Sequence, residues 1–363
     1  MKVAVYAIAL NEEMHADRWA DSAADADYRV VADTGSTDAT VARLRASGVD
    51  VHAISIRPWR FDRAREASLA LVPADADVCI CLDLDEMLLP GWRAALEAAW
   101  KPDTTRLRHP FVWNWTADGK PLNTLYGHRI HARHAYYWRY PIHEVLMPLP
   151  GVTEQVVWTD DLHIHHVADN SKPRAQYLPM LEQAAREEPE DARVAHYYGR
   201  ELMYRGQWNE AIAELERHLR LPGATWATER SASMRYLARC HAAQEHLVEA
   251  ETWLLRAAAE TPDVREPWIE LARICMRRRD WLGGVWACQR ALAIITPPKG
   301  AMYDTRAWSL APYDNGSVCA HYAGMPELAR EWLTRALELA PDDPRVNGNR
   351  KFIFAEEAQK AGE

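Results

Sequence analysis

Apolar runs and polar breaks alternate through the first hundred residues. Residues 3–10 form an unbroken apolar run that stops at Asn11-Glu12-Glu13. A second, largely apolar run at 28–32 ends in Asp33-Thr34-Gly35-Ser36-Thr37-Asp38, and further runs lie at 49–56 and 78–82. Short apolar stretches bounded by polar residues fit strands buried on both faces. The segments at 39–47 and 61–71 have helical spacing, and Ser36, Thr37 or Asp38 could cap the first of them. The order β-α-β-α-β-α-β predicts a mainly parallel, doubly wound α/β sheet. Three of its four strands end in amide or acidic clusters, which gathers them on the strand ends where such sheets bind ligands. In the last cluster, Asp83-Leu84-Asp85-Glu86, Asp83 and Asp85 are hard oxygen ligands suited to Mg²⁺ or Mn²⁺. An isolated Asp-x-Asp is more often a solvated strand end, so its neighbours decide its meaning.

The pattern changes at about residue 105. Residues 111–115 and 130–138 alternate as strands, with a turn near 117–120. This stretch is rich in Trp, which is frequent in the whole chain at 16 of 363 residues. A Trp here could stack on a sugar, but packing beneath the sheet is the simpler expectation. Seven of the fifteen histidines fall between positions 128 and 166. His128, His131 and His134 are spaced for one helix face. On strands they point to different sides, so no three-histidine zinc site is expected.

From about residue 174 the period becomes 3.6 and the sequence repeats. Gly199, Leu202, Gly206, Ala211, Leu215 and Gly223 occupy one set of positions, followed by Leu237, Ala238, Ala250, Leu254, Ala257 and Pro262. A third set runs Trp268, Leu271, Ala272, Gly284, Cys288 and Ala291, and a fourth Gly324, Ala329, Leu333, Ala336 and Pro341. Ala238 and Ala272 are 34 residues apart, the tetratricopeptide period. Small residues at these positions let paired helices approach and stack around a shared core. Residues around 297–300 form an insertion, and 349–358 are expected to cap the array. Two domains are therefore expected. An α/β domain spans 1–170, with an acceptor-side segment at about 105–170, and an all-α repeat spans 171–363.

Composition narrows the field further. The net charge of −9 and pI near 5.9 argue against a nucleic-acid or anionic-membrane surface. Six cysteines without a Cys-x-x-Cys pair read as reduced core thiols. With no signal peptide or 18-residue apolar run, they point to a cytoplasmic protein.

The trio Asn11-Glu12-Glu13, Asp33-to-Asp38 and Asp83-x-Asp85-Glu86 resembles the family-2 glycosyltransferases of the GT-A fold over about residues 1–100. The resemblance implies a single-sugar, inverting transfer from a nucleotide-sugar, usually a UDP-sugar, with a divalent metal, Mn²⁺ or Mg²⁺. It places Ala9, Asn11, Glu12, Asp33, Arg65, Asp83 and Leu84 at the nucleotide-sugar and Asp83 and Asp85 at the metal. Glu66 departs from the family's Ala-Arg-Asn helix motif. Tyr140-Pro-Ile-His143-Glu144 and His163-Ile-His165-His166 resemble segments of the lipopolysaccharide-core glucosyltransferases and bacteriocin peptide S-glycosyltransferases. By that likeness Glu144 is the first choice of base, His143 the second, and His165 a third metal ligand. A peptide, protein or saccharide would be the acceptor. A hydroxylated nucleobase is a further candidate that the negative charge disfavours. The rival expectation is a non-catalytic tetratricopeptide scaffold whose first domain only retains its fold. A nucleotidyltransferase would need a Gly-rich basic loop after the first strand, which is absent. The repeats could bind acceptor, brace the first domain or form a homodimer.

Overall fold

A computed structural model describes residues 1–116, 119–167, 177–298 and 303–354. The chain forms two compact units, Met1–Ala184 and Ala185–Glu363.

The first unit begins β1 (Val3–Ala9), α1 (Glu13–Ser22), β2 (Tyr28–Asp33), α2 (Thr40–Ala46), β3 (Asp50–Ala53), α3 (Phe61–Leu71), β4 (Val78–Cys81). It continues β5 (Glu86–Leu88), α4 (Trp92–Ala99), β6 (Arg106–Trp115), β7 (Pro121–Ala132), β8 (Tyr136–Arg139), β9 (Val145–Pro148), β10 (Val156–Trp158), β11 (Ile164–His166). Helix α5 (Tyr177–Glu187) crosses the boundary between the units.

Alternation along β1 and β4 sets up two core layers. Val3, Val5, Ala7 and Ala9, with Val78, Ile80 and Leu82, face Trp19 of α1, Leu44 of α2 and Trp92 and Leu96 of α4. Ala4, Tyr6, Cys79 and Cys81 face Leu69 of α3 and Trp138 and Leu146 of β8 and β9. Strands covered on both sides have to be apolar throughout, which is why these runs show no polar alternation. Strands β3, β2, β1 and β4 are parallel neighbours in that order.

Strand β6 also runs parallel to β10 and β11, but antiparallel pairs interrupt the expected mainly parallel winding. The sheet continues β7, β6, β11 and β5, with β4/β7, β6/β7 and β11/β5 antiparallel. The result is a mixed nine-stranded sheet, not a doubly wound one. The physical reason is local: β6 and β7 are joined too closely for a crossover helix and pair as a hairpin. The strand expected at 130–138 is likewise divided. β7 ends at Ala132, Ala135 N–H turns back to the Ala132 carbonyl at 3.4 Å, and β8 pairs with β9 in a separate two-stranded sheet.

In the second unit the helices come in antiparallel pairs: α6 (Ala192–Tyr204) with α7 (Trp208–Arg220), and α8 (Ala227–Ala243) with α9 (Leu247–Glu260). They are followed by α10 (Glu266–Arg278) with α11 (Trp281–Ala293), α12 (Ala311–Tyr322) with α13 (Pro326–Leu339), and then α14 (Pro344–Ile353). One turn closes all four pairs. Gly206, Glu245, Arg279 and Gly324 have φ of +72°, +62°, +59° and +72°. The amide of the next residue bonds back to a carbonyl of the ending helix: Gln207 to Leu202, His246 to His241, Asp280 to Cys275 and Met325 to Ala320, at 2.9–3.0 Å. This left-handed cap satisfies carbonyls that the helix end leaves without partners. The last described helix starts at Pro344, where the Asp343 side chain accepts from Arg345 N–H and Val346 N–H. Of the expected cap at 349–358, residues 355–358 lie outside the described residues, as do 117–118 of the β6–β7 turn and 299–300 of the insertion.

The small positions let adjacent helices touch. A Cβ on Gly199 would lie 2.7 Å from Leu215 Cγ, and one on Gly316 would lie 2.3 Å from the Trp332 ring. Gly348 on α14 has open space around it. Gly316→Ala is therefore expected to destabilise the second unit by about 1–3 kcal/mol through overpacking. Gly348→Ala is expected to stabilise it by about 0.4–1 kcal/mol through backbone entropy. Thermal or urea unfolding, with helical content monitored, checks both signs.

Candidate functional site

The polar clusters expected at the sheet edge do come together, but they bond mainly to one another. Register places Ala9 opposite Asp33, and the β4 chain leaves the sheet beside them. The Ala9 carbonyl accepts from Thr34 N–H and from the Thr34 hydroxyl, both at 2.9 Å. Asn11, at φ +55°, accepts Thr37 N–H on its Oδ1 at 2.8 Å. Glu12 N–H donates to Thr40 Oγ1 at 2.7 Å. The buried Asp33 carboxylate accepts Gly35 N–H and Ser36 N–H at 3.1 Å. These groups tie the β1–α1 and β2–α2 loops together, which accounts for their residue types without a ligand.

At the end of β4 the main structure is an ion network centred on Arg65 and Asp83. Arg65, on the buried side of α3, donates to Asp83 Oδ1 at 2.6 Å and Oδ2 at 3.1 Å. It also donates to Glu144 Oε1 at 2.5 Å, contacts Cys81 Sγ at 3.1 Å, and lies 5.2 Å from the Trp138 ring centre. Arg129 of β7 donates to Asp83 Oδ2 at 2.7 Å and to Glu86 Oε1. Glu86 Oε2 accepts Asp83 N–H at 2.9 Å. Arg65 and Glu86 side chains are 6% and 2% exposed, so these charges are removed from water and depend on each other.

Electrostatics follow from that burial. Burial alone would raise the Asp83 carboxyl, yet Arg65 and Arg129 outweigh it and hold the group well below the usual carboxylate range. Glu86 is pushed up to about 7 by burial, reinforced by Asp83 and Asp85 and only partly offset by Arg129. Asp85 engages His166, whose Nε2 is 3.2 Å from Asp85 Oδ2 and whose ring stacks on Trp113 at 4.8 Å. Burial would lower the His166 pKa, and the Asp85 hydrogen bond raises it overall.

The remaining expected residues are distributed around this network. Leu84 is buried in the apolar core. His143 has φ +53°, and its neighbour Glu144 is the Arg65 partner. His165 packs edge-on against Trp115 at 4.7 Å, so its immediate successor, His166, is the residue that reaches Asp85. Glu66, out of place for the family motif, accepts Trp138 N–H at 2.8 Å and fixes β8. Sequence reading missed Arg129 as a network member, placed Glu86 in the acidic cluster without a role, and chose His165 over His166. Only their proximity to acids through strand pairing could have identified them.

This donor set does not fit a divalent cation. Both oxygens of Asp83 already accept guanidinium hydrogens, and a cation there would face two fixed positive charges. Among the described residues no three His, Cys, Asp or Glu side chains converge as metal ligands.

No protein-family model and no curated protein matches the chain. Solved structures similar to it include the APC/C hetero-tetramer Cut9–Hcn1, at 15% identity and TM-score 0.41 over 51% of this chain and 33% of that one. Another is MamA, at 15% identity and TM-score 0.38 over 48% of this chain and 90% of that one. A third is yeast Tom70, at 14% identity and TM-score 0.39 over 52% of this chain and 37% of that one. The chain thus spans a third of the length of the Cut9–Hcn1 chain it matches. These neighbours are tetratricopeptide-repeat proteins, none of them a glycosyltransferase. The expectation of a metal-dependent family-2 glycosyltransferase is corrected on the geometry of the first unit. Its physical basis, a free Asp83/Asp85 pair on a parallel sheet, is replaced by an arginine-held Asp83 on a mixed one. The roles of Glu144 and His143 as bases, and of a UDP-sugar as donor, rested on that resemblance; in the structure Glu144 is held by Arg65 at 2.5 Å.

The network has a pH signature. Glu86 has a raised pKa, so the stability it contributes is complete below about 4.5 and is lost as pH rises through about 7. His166, also raised, loses its contribution in the same direction, above its ordinary value near 6.5. Asp83 has the opposite sign, losing its contribution as pH falls below the ordinary carboxylate range. The melting temperature is therefore expected to fall from about pH 4.5 to about pH 7, where Glu86 titrates, and to go on falling above about 6.5 where His166 does. Glu86→Gln is expected to flatten that slope, and Glu86→Gln with His166→Gln to flatten it further. Scanning calorimetry across this range checks the slopes. An unchanged slope in both variants would reject the network's titration.

Proposed function

We propose that the chain is a non-catalytic helical-repeat scaffold whose second unit binds a segment of another protein. The observation that carries this reading is the inner face of the array. The first helices of successive pairs touch one another, α6 with α8, α8 with α10 and α10 with α12, and so form one continuous side. Helix pairs stacked this way leave a long surface built from several repeats, each of which contributes a few side chains. Tyr204 at the end of α6 is 61% exposed there, an aromatic side chain with a polar tip and little rotamer entropy to lose on binding. Arg200 lies over both the Tyr197 and Tyr204 rings, at 4.4 and 5.9 Å, which fixes the ring directions.

The first unit complements this reading as a self-paired fold. Its sheet-edge polar groups are engaged by loop amides and arginines, an arrangement suited to holding structure. No helix among the described residues is long and apolar enough to cross a membrane.

Selection of random displayed peptides on the full chain tests the proposal. Binders are expected to enrich, to protect α6, α8 and α10 from hydrogen exchange, and to weaken by about tenfold in Tyr204→Ala, as for a central aromatic contact. Failure to enrich any binder, or protection confined to the first unit, would overturn it.

A further inference from the structure

The inner face has a charge opposite to that of the whole chain. The chain carries a net −9. On α8, Arg235 and Arg239 both reach the single carboxylate of Glu270 on α10. Arg235 Nη2 is 2.5 Å and Arg239 Nη2 2.7 Å from Glu270 Oε1, and Arg239 Nε is 3.1 Å from Oε2. Two guanidiniums on one carboxylate leave one positive charge in excess. One helical turn after Glu270, Arg273 is exposed and adds another. Asp314 on α12 feels Arg273, but it is buried and already paired with Arg345 at 2.8 Å.

Aromatic rings border these cations. Arg239 lies 5.5 Å from the centre of the Tyr236 ring, and the Tyr236 and Tyr204 rings are 6.5 Å apart. The Arg239 side chain is 44% exposed while its hydrogen bonds to Glu270 hold its direction. A guanidinium held in place at a partly exposed position loses little freedom when it meets a carboxylate, and it can present a two-pronged donor.

We propose that this face, Tyr204, Tyr236, Arg239 and Arg273 around Glu270, takes an acidic segment of a partner protein. The proposal rests on the scaffold reading and adds the chemistry of the occupant. Carboxylates of the segment pair with Arg239 and Arg273, and its apolar side chains lie against the two tyrosine rings. Charge complementarity makes the binding selective and fast more than it makes it tight. A nucleic acid would also meet the arginines, but its phosphates would face repulsion from the rest of a chain at −9.

The test uses fluorescence anisotropy with the full-length chain and a labelled peptide repeating Glu-Ser-Leu, beside its Gln-Ser-Leu counterpart and a labelled oligothymidylate. The Glu peptide is expected to bind at least about tenfold more tightly than the Gln peptide, and to weaken severalfold between about 50 and 300 mM salt. Arg239→Gln with Arg273→Gln is expected to cost about tenfold or more, because Arg235 still holds Glu270 and the fold is kept. Arg220→Gln, which removes one positive charge where the double variant removes two, lies at a 68% exposed site on α7 and is expected to change nothing. Melting temperature and helical content verify folding of each variant. Equal binding of Glu and Gln peptides would overturn the acidic selectivity while the displayed-peptide selection still stands for the scaffold. Tighter binding of the oligothymidylate, no binding of the Glu peptide, or equal losses in the Arg239/Arg273 and Arg220 variants would each overturn the proposal.

Discussion

Arg65 is the interaction on which the first unit depends. Its guanidinium sits between α3, the end of β4 and the segment before β9, bonding Asp83 and Glu144 and lying beside the Trp138 ring. A buried cation must have partners, because removing it from water costs several kcal/mol unless hydrogen bonds and opposite charge replace the solvent, roughly the scale seen for other buried ions. Here the partners come from two parts of the chain far from α3, the end of β4 and residues 138–144. The ion therefore fixes how α3 and the β8–β9 sheet lie against the same face. Arg129 extends the pairing from Asp83 to Glu86, so the end of β4 is joined to β7 by charge as well as by backbone hydrogen bonds.

The same pairing changes what the acidic cluster can do. Carboxylates at the end of a strand are open to a metal only while their oxygens remain available. Two arginines on Asp83 use both of them, and His166 reaches the neighbouring Asp85. The cluster thereby becomes a means of holding a mixed sheet together. The second unit shows the reverse economy of charge. Two arginines share one glutamate on its inner face, which leaves cationic capacity for a partner.

Cooperation within the repeat unit comes from two recurring devices. The left-handed turn after α6, α8, α10 and α12 sets the same reversal each time, whether the residue there is Gly, Glu or Arg. At Glu245 and Arg279 a side chain occupies a conformation that glycine adopts more easily, and the helix-ending hydrogen bonds and packing hold it there. Close helix contact at Gly199, Gly284 and Gly316 then brings Leu215, Cys319 and Trp332 against neighbouring backbones. Either device alone would leave the helices free to slide or splay.

By itself the sequence determined the features governed by local periodicity. The apolar runs became β1, β2 and β4, residues 61–71 became α3 as expected, and small-residue spacing marked the four helix pairs. These follow from side-chain direction along a strand or helix, which neighbours in sequence are enough to set. Tertiary structure decided the rest. It paired β6 with β7 as a hairpin and so made the sheet mixed, because strand direction depends on partners that local pattern does not encode. It also brought Arg65, 18 residues before Asp83, and Arg129, 46 residues after it, onto the same carboxylate. The Asp-x-Asp pattern reads the same whether a metal or a guanidinium faces it. Which of the two is present is set by long-range packing and charge, and that is why the acids were legible and their chemistry was not.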